Sequence, residues 1–261
     1  MAESSDDDDD EMARIRQFKV VLLGDGAVGK SSLATRFARD QFAQRYKQTI
    51  GVDFFMRHLD LPGGVRAAMQ VWDIGGQSIG SQMTSKYLFG AQAVVLVYDA
   101  TSYESFENLE DWLRLVYRVF PPPSDGGMGV PGGGGGAGTG GPRPVLALMA
   151  NKTDLGHLRA VKREEHLAFA RENGMSAYYA SAKTGDRVFA SFKHLAAQMC
   201  GVQLSAAEVA GALSPVEAAL PNYPQNDPAI HVSTAGAVHA PRQLLRQPET
   251  ASMGKRGCVL Q

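Results

Sequence analysis

Short apolar segments alternate with longer amphipathic segments through the central part of the chain. The run 93–98 is apolar at every position, which is typical of a central strand covered on both faces. Residues 102–120 carry apolar side chains at helical spacing, and Thr101 with Glu104 predicts a capping box at their start. The whole pattern predicts strands at 18–23, 53–61, 67–72, 93–98, 145–149 and 177–179, and helices that begin near 30 and span 102–120, 162–173 and 186–200.

This order of elements predicts an α/β fold. Pro62, Gly63 and Gly64 separate the second and third strands, so these two strands should form a hairpin. We therefore expect a six-stranded, mostly parallel sheet with one antiparallel strand and with helices on both faces. In such a sheet ligands bind at the carboxyl ends of the strands, and each motif described below follows a predicted strand.

The composition is that of one soluble globular domain flanked by segments of a different character. Hydrophobic residues make up 44% of the 261 residues and the formal net charge is −1, so nothing attracts the chain as a whole to nucleic acid. Two cysteines make a disulfide framework implausible and favour a reducing compartment. We expect an acidic disordered head at 1–16, a domain at 17–200 with a flexible Pro/Gly-rich insertion at 121–143, and a hypervariable tether at 201–261.

The first strand is followed directly by a phosphate-binding motif. Residues 24–31 read Gly-x-x-x-x-Gly-Lys-Ser, and a helix is predicted to begin at their end. Glycines let such a loop curl around phosphates, and the helix start adds backbone N–H donors and its dipole. In this motif the lysine reaches the β- and γ-phosphates and the serine hydroxyl binds Mg²⁺. The predicted nucleotide-binding residues of this loop are Asp25, Gly26, Ala27, Val28, Gly29, Lys30, Ser31 and Ser32.

A second motif follows the third strand. Asp73 is predicted to hold Mg²⁺, and Gly76 is predicted to sense the γ-phosphate through its backbone N–H. Gln77 is predicted to orient an attacking water. Alone this pattern occurs in many turns, but it gains weight from its position at a strand end downstream of a phosphate loop.

The last two strands are followed by a pair of motifs that predict recognition of guanine. Asn151, Lys152 and Asp154 follow one strand, and Ser181, Ala182 and Lys183 follow the next. The Asp154 carboxylate can accept hydrogen bonds from N1 and the exocyclic amine of guanine. Adenine offers no such pair of donors, so an unpaired carboxylate would penalise ATP.

Over residues 17–200 these motifs resemble those of the Ras-superfamily small GTPases, and residues 49–54 (Thr-Ile-Gly-Val-Asp-Phe) resemble the first switch of the Rab branch. The resemblance implies a monomeric P-loop GTPase that binds GTP or GDP with Mg²⁺ and hydrolyses GTP, with Lys30 and Gln77 as catalytic residues. It implies that Thr49 binds Mg²⁺ in the GTP state, that Tyr46 covers the nucleotide, and that Gly26 leaves room for hydrolysis. It also implies a guanine-nucleotide exchange factor, a GTPase-activating protein and GTP-state effectors as partners.

The second switch departs from that of ordinary Rab proteins. Ile74 and Gly75 replace the usual Thr-Ala, and Ser-Ile-Gly at 78–80 replaces the typical Glu-Arg-Phe. With residues 46–49, 105–112 and 181–186, these changes resemble one divergent subtype of the Rab branch. The glycine-rich insertion is not part of that subtype's pattern.

The C-terminal residues Cys258-Val259-Leu260-Gln261 fit a Cys-a-a-X box, and the final Gln favours farnesylation of Cys258. A single lipid gives marginal, reversible membrane binding, and the two basic residues nearby add little. We therefore expect a protein that cycles between the cytoplasm and the cytoplasmic face of membranes, helped by a prenyl-binding carrier. The resemblance implies work in membrane traffic, at a ciliary base or an endosome.

Two alternatives remain open from the sequence. A nucleotide-binding scaffold that never hydrolyses GTP is suggested by the departures at Gly75 and Ser78. A P-loop ATPase or kinase is the other alternative, and Asp154 argues against it.

Overall fold

The computed structural model describes residues 15–43, 45–77, 82–121 and 143–213. Six strands form one sheet in the order β2-β3-β1-β4-β5-β6, in which β2 is antiparallel to β3 and the other pairs are parallel. The predicted fold class is therefore confirmed. The strands are β1 (Ile15–Leu23), β2 (Val52–Leu61), β3 (Val65–Ile74), β4 (Ala93–Asp99), β5 (Val145–Asn151) and β6 (Ser176–Tyr179).

Helices cover both faces of this sheet and enclose two hydrophobic cores. One core lies between the sheet and α1, α6 and α7, and the other lies between the sheet and α2, α4 and α5. Because both faces are covered, all seven residues of β4 are buried, as its apolar sequence predicts. The helices are α1 (Lys30–Arg39), α2 (Gln82–Leu88), α3 (Tyr103–Glu107), α4 (Leu109–Val119), α5 (Arg163–Glu172), α6 (Val188–Cys200) and α7 (Ala206–Leu213).

The β2–β3 hairpin lies between the two predicted switches and connects them. A 3₁₀ turn at Pro62–Gly64 connects the strands, and Gly63 has a positive φ of 76° that suits glycine. Val52 pairs with Ile74 at the far end of the hairpin. The residues before β2 and those after β3 therefore leave the sheet side by side.

The structure changes several predicted boundaries. β1 begins at Ile15, so two residues assigned to the acidic head belong to the sheet. The helix predicted over 102–120 is two helices that meet at Asn108. Its cap is Ser102, whose hydroxyl accepts the Ser105 N–H, because the Thr101 hydroxyl donates to Asp99 instead.

Two helices were not predicted. α2 follows the second switch motif, and α7 lies within the segment predicted to be a tether. Ser205 and Glu208 form a capping box at the start of α7, and Lys193 of α6 makes an ion pair with Glu208 at 2.8 Å. Ala212 is fully buried, so α7 is part of the folded domain.

Other predicted segments lie outside the described residues. These are most of the acidic head, all but the two ends of the glycine-rich insertion, the greater part of the tether, and Cys258. Within the described ranges, no helix is both long enough and apolar enough to cross a membrane.

Candidate functional site

A cavity of about 560 Å³ opens at the carboxyl ends of β1, β3 and β5, where the predicted motifs follow their strands. This volume is in the range of small-molecule sites. Fifteen of the predicted site residues line it: Gly26, Ala27, Gly29, Lys30, Ser31, Ser32, Tyr46, Thr49, Gly76, Gln77, Asn151, Lys152, Asp154, Ala182 and Lys183.

The loop from Gly24 to Gly29 is held by close backbone contacts. A Cβ on Gly24 would collide with the carbonyl of Val97, and one on Gly29 would collide with the Asn151 side chain. Both glycines also have positive φ values that other residues rarely adopt. A Cβ on Gly26, by contrast, would meet no protein atom within 4 Å. Gly26 lines the cavity, so a Cβ at this position would point into open space and not against the protein.

Lys30 is held inside this loop at the start of α1. Its side chain is only 6% exposed, and Nζ donates hydrogen bonds of 2.7 Å to the carbonyls of Gly24 and Asp25. Burial lowers the pKa of Lys30 to about 8, although Asp73 and Asp25 act in the opposite direction. A cation with so little water around it attracts a phosphate group strongly.

Three oxygen-bearing side chains from separate segments converge beside Lys30. The Ser31 hydroxyl donates to Asp73 Oδ2 at 2.5 Å and lies 2.8 Å from the Thr49 hydroxyl, which also reaches Asp73 Oδ2 at 3.2 Å. Asp73 is fully buried, and its Oδ1 has no hydrogen-bond partner among the described residues. Burial raises the pKa of Asp73, while Ser31, Lys30 and Thr49 favour its ionised form. Hydroxyl and carboxylate oxygens are the ligands that Mg²⁺ prefers, so this set fits that ion.

The second switch motif packs directly on the phosphate loop. A Cβ on Gly76 would collide with the backbone of Asp25 and Gly26, so only glycine allows this approach. The Gly75 N–H donates to the Gly51 carbonyl at 3.0 Å, which extends the β2–β3 pairing by one step. Gln77 follows with an exposed side chain whose Oε1 accepts a 2.7 Å hydrogen bond from Gln48.

At the other end of the cavity, which we call the Asp154 end, Asn151 connects two loops. Its Nδ2 donates to the Val28 carbonyl at 2.8 Å, and its Oδ1 accepts the Ala182 N–H at 3.1 Å. Ser181 is almost fully buried and donates to Asp154 Oδ1 at 2.7 Å. The carboxylate at this end is thus oriented from behind by a hydroxyl group.

Lys152 flanks Asp154 and is fixed in a strained conformation. Its φ of 62° lies in the left-handed region, and its Nζ makes a 2.6 Å ion pair with Asp99. The Lys152 ammonium group therefore binds the end of β4. The rest of Lys152 lines the cavity next to Asp154.

Four predicted site residues do not line the cavity: Asp25, Val28, Asp73 and Ser181. The Asp25 side chain instead accepts hydrogen bonds from Asn108 at 2.7 Å and from the Trp112 indole at 2.8 Å. It ties the phosphate loop to the junction of α3 and α4. Asp73 and Ser181 lie behind the cavity wall and orient residues that do line it.

Sequence reasoning missed three residues with direct roles in this arrangement. Arg36 donates from Nε to the Ala182 carbonyl at 3.0 Å and from a terminal nitrogen to the Lys183 carbonyl at 2.8 Å. Phe42 adds an aromatic wall to the cavity, and Gln48 contacts Gln77. Phe42 could have been predicted, because it is an aromatic residue shortly after the first helix. Nothing in the local sequence indicates a role for Arg36 or Gln48.

A row of aromatic side chains lies beside the switches, on the β2–β3 hairpin and α2. Phe54 is 60% exposed and packs edge-on against Trp72, with ring centroids 4.6 Å apart. Tyr87 lies next to Trp72 at 6.5 Å, and the Lys19 ammonium sits 3.7 Å from the centre of the Trp72 ring. We call Phe54, Trp72 and Tyr87 the aromatic row.

Comparison with known proteins places the chain in a family. The sequence model of the Ras family matches residues 19–129 and 137–201. The Ras-related protein Rab-28 of Caenorhabditis elegans is 42% identical over 229 residues, which are 87% of this chain and 83% of that protein. The Ras-related protein Rab-13 of Canis lupus familiaris is 36% identical over 179 residues, or 69% of this chain and 78% of that protein.

The comparison also confirms the resemblance to one divergent subtype of the Rab branch, because that subtype is Rab-28. Membership of a GTPase family removes the alternative of an ATPase or kinase. The chain therefore belongs to the Rab branch of the Ras family of small GTPases, enzymes that bind GTP and hydrolyse it to GDP and phosphate.

Proposed function

We propose that this chain is a Mg²⁺-dependent GTP switch that controls membrane traffic by cycling on and off membranes. The observation that carries the proposal is the meeting of Ser31, Thr49 and Asp73 beside the buried Lys30. Thr49 belongs to the predicted first switch, so its place at this cluster supports a switch that responds to the ion and the γ-phosphate.

We assign the Asp154 end to guanine and the Lys30 end to the phosphates. The Asp154 carboxylate would accept the two guanine donors, and a backbone N–H of the segment 181–183 would donate to the guanine O6. Ser31, Thr49 and Asp73 would hold Mg²⁺, which neutralises charge on the phosphate oxygens when bound. Tyr46, Ser32 and Lys183 complete the wall around the nucleotide.

In hydrolysis, the oxygen of a water bonds to the γ-phosphorus as the bond to the β–γ bridging oxygen breaks, and the water proton passes to phosphate. Gln77 orients this water, and Lys30 stabilises the charge that develops. No side chain of the described cavity acts as a strong base, so intrinsic turnover is slow until an activating protein supplies an arginine.

The aromatic row is the surface we propose for effectors. It is continuous with the switches, because Phe54 follows Thr49 by five residues and Trp72 directly precedes Asp73. Ile50, at 92% exposed, extends the apolar surface from the first switch. The exposed Phe54 and the half-buried Trp72 and Tyr87 would report the state of both switches to a partner.

Membrane attachment through a farnesyl group on Cys258 completes the proposal. One lipid binds reversibly, so a prenyl-binding carrier would return the protein to the cytoplasm. The similarity to Rab-28 and Rab-13 supports work in traffic, and we propose the ciliary base or an endosome as the site.

Substitution of Thr49 tests the switch. Thr49→Ala should weaken binding of a non-hydrolysable GTP analogue by about tenfold with Mg²⁺ present, since one ligand and its hydrogen bond are lost. GDP binding should change much less, which makes GDP the internal control. The affinities are measured by displacement of a fluorescent guanine nucleotide, with and without EDTA. Equal losses for both nucleotides would contradict the proposal.

A further inference from the structure

The hydrogen bond between Gln48 and Gln77 connects the two predicted switches side chain to side chain. Gln48 Nε2 donates to Gln77 Oε1 at 2.7 Å, and both residues line the cavity. Both side chains are exposed, so water competes for the same groups and the bond forms and breaks readily.

The β2–β3 hairpin brings these two residues together. The Val52–Ile74 pair closes the hairpin, and the Gly75 N–H to Gly51 carbonyl bond continues it. Gln48 lies three residues before Gly51 and Gln77 lies two residues after Gly75, so both leave the hairpin on neighbouring paths. The fold therefore places the two side chains within reach of each other.

The bond coexists with contacts that both predicted switches make at the cavity. Thr49, the immediate neighbour of Gln48, is seated against Ser31 and Asp73 at the metal cluster. Gly76, the immediate neighbour of Gln77, is packed on the phosphate loop. Thr49 and Gly76 are thus held at the cavity while Gln48 holds Gln77.

The atom that Gln48 holds is the one that the reaction needs. To orient the attacking water, the Gln77 carboxamide accepts a water hydrogen at Oε1 and directs its N–H toward the γ-phosphate. A hydrogen bond from Gln48 to Oε1 turns the carboxamide toward the first switch. Only the fraction of molecules in which this bond is open has Gln77 available.

We propose that Gln48 is a positioning residue that withholds Gln77 and thereby slows intrinsic GTP hydrolysis. This inference rests on the proposed role of Gln77. Removal of one ordinary hydrogen bond corresponds to about a two- to tenfold change in a rate or population. Loss of the Gln48 donor should therefore accelerate hydrolysis by that factor.

The test is single-turnover hydrolysis of Mg²⁺-GTP by the full chain, without an activating protein. Gln48→Ala removes the side chain, and Gln48→Met removes the donor while it keeps the length. Both should hydrolyse bound GTP about two- to tenfold faster than the wild type, with unchanged affinity for GTP. Gln17→Ala, the same change at an exposed position of β1 remote from the site, is the control and should leave the rate unchanged. A rate for both Gln48 variants equal to or below that of the wild type would overturn the inference.

A double-substitution cycle separates this inference from the proposed function. If Gln48 acts through Gln77, then Gln77→Ala slows hydrolysis and the added Gln48→Ala substitution has no further effect. If Gln48→Ala accelerates hydrolysis equally with and without Gln77, Gln48 acts elsewhere and the inference is wrong. If Gln77→Ala alone hydrolyses as fast as the wild type, the proposed role of Gln77 fails and the inference fails with it.

Discussion

The two ends of the nucleotide cavity are built differently. At the Asp154 end, buried groups are fixed by bonds that cross between loops: Asn151 holds the phosphate loop to Ala182, Ser181 orients Asp154, and Arg36 holds the carbonyls of residues 182 and 183. At the Lys30 end, where the two predicted switches lie, Tyr46, Gln48 and Gln77 are exposed.

This difference suits one cavity to two tasks, the selection of guanine and the response to the γ-phosphate. Recognition of guanine needs groups that are already in place, because their geometry then rejects a wrong base without reorganisation. A switch needs segments whose order depends on the ligand, and such segments come from the exposed, weakly held parts of a structure.

The largest effect is expected from Asp154→Asn. The substitution removes the acceptor for the two guanine donors while Ser181 and the surrounding fold remain, so GTP affinity should fall at least about a hundredfold. Xanthosine triphosphate should gain affinity, because its second carbonyl can accept from the new amide. Competition of both nucleotides against fluorescent GDP measures the change. Asp111→Asn, at an exposed position of α4, is the control. An unchanged preference for guanine in Asp154→Asn would show that Asp154 does not bind the base.

A smaller effect is expected from Arg36→Ala. The loop at residues 182–183 would lose two charged donors, so both GDP and GTP should dissociate about tenfold faster. Hydrolysis of GTP that is already bound should keep its rate, since Arg36 does not contact the switches in the described residues. Arg39→Ala, on the exposed side of the same helix, should dissociate nucleotide at the wild-type rate. Slower hydrolysis in Arg36→Ala would contradict the division between the two ends.

The smallest effect at neutral pH is expected on the stability of the fold, at His166 of α5. His166 is fully buried against Tyr98 and Tyr179, and burial lowers its pKa from 6.5 to about 3. Between these two pH values the unfolded chain binds the proton and the folded chain does not, so stability falls as the pH is lowered. The slope is about 1.4 kcal/mol per pH unit for one proton.

His166→Asn should remove that slope and leave an acceptor near the Tyr98 hydroxyl. Urea unfolding at pH 7, 6 and 5 should show the stability difference between wild type and variant narrowing toward low pH. The same substitution at His58, exposed on β2, should leave the wild-type pH dependence in place. Parallel curves for wild type and His166→Asn would show that His166 is not buried in its neutral form.

Much of the fold was predictable because it depends on local patterns. The apolar run of β4 and the glycine pattern of residues 24–31 specify a strand and a phosphate loop within a few residues of sequence. α7 was missed because its apolar stripe is short and the surrounding segment is rich in alanine and proline, although Ser205 with Glu208 signals a helix start.

The site residues that belong to a local motif were predictable from the sequence. Those that meet only when distant segments fold together were not. Arg36 reaches residues that lie 146 and 147 positions away, and Trp112 looks like an ordinary core residue until its indole is seen to donate to Asp25. Gln48 has no motif of its own. Its contact with Gln77 depends on the register of the β2–β3 hairpin, which the sequence predicts only as a hairpin.

Hydrogen exchange of backbone amides measures whether the switch segments, and not the Asp154 end, respond to the γ-phosphate. The full chain is compared with GDP bound and with a non-hydrolysable GTP analogue bound, both with Mg²⁺ present. Protection should rise with the analogue in peptides covering residues 45–51 and 73–77, while peptides covering 151–155 and 181–186 should exchange equally in both states. Equal changes at both ends, or no change at residues 45–51, would contradict this division between the two ends.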